Sequence, residues 1–156
     1  MRFVILSAVL FAPVVASAQP IMSETCKTVS TVPADSTDAQ MALAAKISLA
    51  NCQVEASFSA ITLTPDDASM QALTNAAQPA LQLYDDVIRS GDPAMVPLAR
   101  AARADLFDAM AVRMRDSIAP ITMSTTGAPL AEHDREHAAI EPKIQPWLDQ
   151  AQTPAQ

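Results

Sequence analysis

Between Gly91 and Pro120 the chain carries its longest helical signal set between two clear stops, GDPAMVPLARAARADLFDAMAVRMRDSIAP, and the rest of the sequence has to pack around it. Gly91 supplies the left-handed residue on which helices end, and Asp92-Pro93 repeats the chemistry with which they begin, so two helices meet here across a very short turn. That makes an antiparallel hairpin. At about 100° per residue, Met95, Leu98, Ala99, Ala102, Leu106, Ala109 and Met110 cover one broad arc, which Phe107, Met114 and Ile118 extend. An arc this wide requires two neighbouring helices. Ala99, Ala101, Ala102, Ala104, Ala109 and Ala111 let those neighbours approach closely.

The preceding helix starts at Thr64-Pro65-Asp66-Asp67, where a capping hydroxyl, a proline and two acids suit a helix N-terminus. Its core positions are Met70, Leu73, Ala77, Ala80, Tyr84, Val87 and Ile88, with Pro79 expected to kink it. An earlier helix is predicted from Ser36 or Thr37, either of which can cap it, to about Ala60. Leu43, Ile47, Ala50, Val54, Phe58 and Ile61 form its apolar stripe. After Pro120 a polar connector runs to Pro129, and a last helix begins near Leu130. Its seam is Leu130, His133, His137, Ile140, Ile144, Trp147 and Ala151, with Pro142 and Pro146 expected to kink or interrupt it. The tail from Thr153 is read as frayed. No strand-period run appears in this part of the chain. The fold class is therefore all-α, four principal helices arranged as helical hairpins, either as a small bundle or as a repeat-like stack.

The N-terminus has the three parts of a secretory signal: Arg2, an apolar run from Phe3 to Val15, and Ala16-Ser17-Ala18 before Gln19. Residues 1–18 are read as a signal peptide, 19–35 as an extended arm and 36–152 as a single helical domain. The apolar run is too short for a spanning helix and is broken by Pro13. The full chain carries a net charge of −7, and loss of Arg2 with the signal makes the remainder more acidic. Such a protein repels nucleic acid and anionic lipid, which removes both as expected partners. Export also places Cys26 and Cys52 in an oxidising compartment, where a disulfide between them outranks a catalytic or metal-binding role.

His133 and His137 are the only histidines, and His133-Asp134-Arg135-Glu136-His137 matches the H-x-x-E-H pattern of inverzincin metalloproteases. A protease of that class needs a further carboxylate ligand well downstream, and the chain offers only Glu141 and Asp149. The protease reading is therefore rejected. A transition-metal site using His133 and His137, beside Glu132 or Asp134, stays as an alternative to packed core histidines. Arg113 falls near the middle of the broad apolar arc, which requires either a carboxylate from another helix or a partner. Trp147 and Tyr84 are the large amphipathic aromatics, each able to anchor a partner or cap the core. Met41, Met70, Met95, Met110, Met114 and Met123 sit at helical spacing without a Met-x-x-Met cluster and read as core filler. No activated serine, C-x-x-C-H haem motif or other catalytic or cofactor signature is present.

The segment from Gly91 to Trp147 resembles a helical module found beside tetratricopeptide-type repeats in large bacterial envelope proteins. The resemblance rests on Gly91-Asp92-Pro93, Arg103-Ala104-Asp105-Leu106-Phe107 with Met110-Ala111, Ile118-Ala119-Pro120, and Ile140-Glu141-Pro142-Lys143 leading to Trp147. It implies a scaffold for protein contact and carries over no catalytic residues or cofactor. The expected function is thus an exported, non-catalytic protein-interaction module of the bacterial periplasm, with Arg113 and Trp147 as candidate partner contacts. The alternatives are a periplasmic metal binder using His133 and His137, or a binder of an apolar small ligand between the helices.

Overall fold

A computed structural model describes Cys26 and residues 38–120 and 127–152. The predicted signal peptide, most of the arm, Ser36, Thr37, the middle of the connector with Met123, and the tail from Thr153 lie outside the described residues. The fold is all-α: α1 (Ala39–Ser59), α2 (Asp67–Ser90), α3 (Met95–Asp116) and α4 (Ala128–Gln152). No strand occurs among the described residues.

Each boundary has a local chemical cause. Asp38 caps α1, its carboxylate accepting the amides of Gln40 and Met41. The predicted start is therefore displaced from Ser36 or Thr37, because a second aspartate downstream offers a cap of equal quality. The α2 cap is likewise Asp66 and not Thr64: Asp66 accepts the Ser69 amide at 2.8 Å, and the Thr64 hydroxyl donates to Asp66. Ser69 Oγ in turn accepts the Thr64 amide at 2.9 Å, so the orphan donors are satisfied reciprocally. Gly91, at φ 71°, ends α2 in the left-handed conformation expected of it. Asp92 then accepts the amides of Ala94 and Met95, both at 2.9 Å, and starts α3.

The three internal prolines do not interrupt their helices: α2 continues through Pro79, and α4 through both Pro142 and Pro146. Of the two outcomes expected at Pro142 and Pro146, interruption does not occur. A proline frees the carbonyl four residues back. Pro79, Pro142 and Pro146 are exposed, as are Asn75 and Ala138, so those freed carbonyls lie on faces that water reaches.

Cross-links between side chains fix the helix directions. Lys46 pairs with Asp86 at 3.7 Å and Tyr84 donates to Asn51, which sets α1 antiparallel to α2. Gln40 Nε2 donates to Asp92 Oδ2 at 3.3 Å at one end of α1, and Arg113 Nη2 donates to the Phe58 carbonyl at 2.7 Å at the other. The helices α1 and α3 therefore run parallel, both lying against α2. The backbone of α4 meets α3 alone, and its Lys143 reaches across to Asp67 at the start of α2. A closed four-helix ring requires contact between first and last helices. Here α1 and α4 make none, and the helices form an open array of hairpins.

One core joins the array. Phe58, Leu73, Tyr84, Leu106, Phe107, Met110, Met114, Ile118, Ile140, Ile144 and Trp147 belong to a single buried cluster. The small residues Ala50, Ala77, Ala80 and Ala111 sit fully buried within it, where they allow the helices to pack closely.

Candidate functional site

The helices α1 and α3 are tied together at both ends and separated between. The opening is a groove of about 370 Å³. Ala44, Ile47, Ser48 and Asn51 line it from α1, at spacings of three and four that mark one helix face; Met95, Leu98, Ala101, Ala102 and Asp105 line it from α3. Its width follows from the side chains. Ala44 and Ser48 from α1 and Ala101 and Ala102 from α3 are too small to fill the gap between the helices.

The rim is apolar and unusually open. Leu98 is 55% exposed and Met41, at the same end of α1, is 57% exposed. Both were expected in the core. For Leu98 the reason is angular: the apolar arc of α3 is wider than its neighbours cover, and Leu98 falls in the uncovered part. Met41 lies in the first turn of α1, beyond the reach of the core cluster.

Below the groove sits a polar pair that the sequence does not reveal. Tyr84, only 1% exposed, comes up from α2 and donates its hydroxyl to Asn51. Burial pushes its phenol up to about 12, and the negative charge of Asp105 adds to the effect. Asp105 itself is exposed and has no cationic partner among the described residues. Its neighbour Arg103 is turned away to Asp85, at 3.2 Å, and over the Phe107 ring. The groove thus presents one unneutralised carboxylate between apolar and small side chains.

Of the residues singled out in the sequence, Arg113 is half-buried and takes a backbone carbonyl as its hydrogen-bond partner. Its guanidinium donates to the Phe58 carbonyl in the last turn of α1 and lies 5.5 Å from the Phe58 ring centroid. It adds a favourable cation at that helix C-terminus. It also lines a second hollow of about 290 Å³ with Ile61, Leu63, Asp116 and Ser117. Trp147 is buried in the core cluster beside Ile140 and Ile144. Of its two predicted roles, the structure places it in the one that caps the core.

Cys26 and Cys52 are joined, with sulfurs 2.12 Å apart and Cα atoms 5.3 Å apart, within the range a disulfide spans. The bond fixes Cys26 to α1 at Cys52. His133 and His137 lie on the N-terminal half of α4, where no residue from 128 to 139 is buried. This corrects the predicted seam, which is buried only from Ile140 onward. The two rings are 4.5 Å apart and tilted by 54°. The residue one turn further, Glu141, is held by Arg115 through two bonds of 2.8 and 2.9 Å, which lower its carboxyl below the usual range. Among the described residues no third ligand joins the histidines. Met110 and Met114 are buried, as core filler should be, whereas Met95 lines the groove.

No family model matches the chain, and no curated protein or solved structure is similar to it.

Proposed function

We propose that this protein is a non-catalytic interaction module of the bacterial periplasm, and that it receives a protein partner in the groove between α1 and α3. The observation that carries the reading is the groove itself: an opening between two helices tied at both ends, with Leu98 exposed in its lining and Met41 exposed one turn before Ala44 on α1. Exposed apolar side chains grouped along a groove, and not scattered singly, mark sites of contact. The periplasmic part rests on the signal-like sequence of residues 1–18 and on the Cys26–Cys52 disulfide, which suits an oxidising compartment. Among the described residues no helix is long and apolar enough to cross a membrane.

The test is site-specific photocrosslinking in the producing cell. A photoreactive amino acid at Leu98 is expected to give one discrete adduct with another protein, and the same group at Gln78, exposed on α2, to give none. Equal labelling from the two positions, or no adduct from Leu98, would sink the reading.

A further inference from the structure

We propose that the groove is filled by an amphipathic helix of a partner protein, laid along α1 and α3 with apolar residues against Met41 and Leu98 and a lysine or arginine against Asp105. This rests on the interaction reading above and names the occupant.

Length comes first. Leu98, Asp105 and Val112 recur at seven-residue spacing on one stripe of α3, and all three are exposed. At 1.5 Å per residue that stripe runs about 21 Å. The groove lining on α3 ends at Asp105, and Val112 lies exposed two turns beyond it on the same stripe, so about four turns of helix reach both where a small molecule in the hollow reaches only the first part.

The class of segment follows from what the groove lacks. The described residues offer no strand edge for an added strand to pair with. A proline-rich segment needs exposed aromatic shelves, and Tyr84, the aromatic nearest the groove, is buried beneath it. What remains among the common modes is a helix lying in a groove, whose backbone needs no partner and whose side chains fill the gap over Ala44, Ala101 and Ala102.

Charge then selects the face. Among the described residues Asp105 is the one charged residue lining the groove, and it has no cationic partner there. An apolar helix laid over it would strip water from a carboxylate and give nothing back. A lysine or arginine midway along the guest face removes that cost and fixes the register. A second copy of this chain is the wrong occupant in a face-to-face arrangement, because Asp105 would meet Asp105 between two chains of net charge −7.

The experiment uses the full chain and two fluorescein-labelled, hydrocarbon-stapled helical peptides of about 18 residues. Each has leucines toward both ends of one face; one carries arginine midway, the other glutamate. The arginine peptide is expected to bind at least about tenfold more tightly. Leu98→Glu should abolish binding, and Asp105→Arg should reverse the preference. Asp105→Asn, which keeps the side-chain volume, should bring the two peptides to within about threefold of each other, and circular dichroism reports whether each variant is folded. If both peptides bind equally to the native protein, the charge assignment is wrong while the docking groove stands. If neither binds but Leu98 still gives its crosslink, the occupant is not a helix of this kind. If neither binds and no crosslink forms, both readings fall. Binding that survives Leu98→Glu lies elsewhere and also overturns the proposal.

Discussion

The helix α3 has two seams that are built differently. Toward α4 it is closed: Met114, Ile118, Ile140, Ile144 and Trp147 share the buried cluster, and Arg115 grips Glu141 through both carboxylate oxygens. Toward α1 it is tied by Gln40–Asp92 at one end and Arg113–Phe58 at the other, with a groove between. Side-chain volume separates the two. Large residues from both helices meet at the first seam, whereas Ala44, Ser48, Ala101 and Ala102 make up much of the second, alongside Ile47, Met95 and Leu98. A seam filled with large side chains gives stability, and one lined by small ones leaves room for something else.

The largest expected effect tests the closed seam. Trp147→Ala removes a buried indole and should cost about 3–5 kcal/mol of unfolding free energy, measured by urea denaturation. Leu98→Ala, on the open seam, should change stability by no more than about 0.5 kcal/mol. Comparable losses from the two variants would mean that the groove belongs to the core and that the contrast is false.

The disulfide sets a second contrast, because it acts on α1, which borders only the open seam. Cys26 and Cys52 are separated by 26 residues. Replacing both with serine should lower stability by about 3.5 kcal/mol in the chain-entropy picture, read as a fall in the melting temperature. The loss should be matched by adding reductant to the native protein. No change on reduction would show that the bond adds no net stability.

Much of this was legible in the residues before any coordinates. Gly91 and Asp92-Pro93 announced the α2–α3 hairpin, because a left-handed stop followed by a capping acid leaves the chain little else to do. The pairing of Cys26 with Cys52 followed from there being two cysteines. Cap positions were less secure, since Asp38 competes with Ser36 and Thr37, and Asp66 with Thr64, on nearly equal terms. The groove was illegible for a deeper reason. Helical period places Leu98 on the same arc as Ala99 and Leu106, and only the positions of α1, α2 and α4 decide which part of that arc is covered. The same holds for Trp147 and for the first half of α4: period says which residues share a face, and nothing about whether another helix lies opposite.

Tyr84 reports on the floor of the open seam. It is the only tyrosine in the chain, so its ionisation can be followed by ultraviolet difference absorbance without interference from another phenol. Its folded pKa, raised from 10 to about 12, exceeds the unfolded value. The neutral phenol's contribution is therefore complete below pH 10 and is lost as pH rises from 10 to about 12. Unfolding free energy should fall by roughly 2 kcal/mol across that window, and Tyr84→Phe should flatten the slope. Asp105→Asn should lower the tyrosine midpoint only part of the way to its ordinary value, since burial is the larger cause. A midpoint at the ordinary value in the native protein would show that the groove floor is open to water.

The smallest effect belongs to the Arg115–Glu141 pair, which fastens the closed seam from outside. Both side chains are partly exposed, at 34% and 45%, so solvent screening limits the pair to about 1 kcal/mol despite its two-pronged geometry. The Arg115 guanidinium holds the Glu141 carboxyl below its usual range. The stabilisation is thus present above the ordinary glutamate pKa and disappears as pH falls through the lowered folded value. Glu141→Gln should cost up to about 1 kcal/mol at neutral pH and nothing once the native carboxyl is protonated, with the difference shrinking further in high salt. A cost that persisted unchanged at acidic pH would reveal a packing role for Glu141. The closed seam would then depend on the glutamate's shape as well as on its charge.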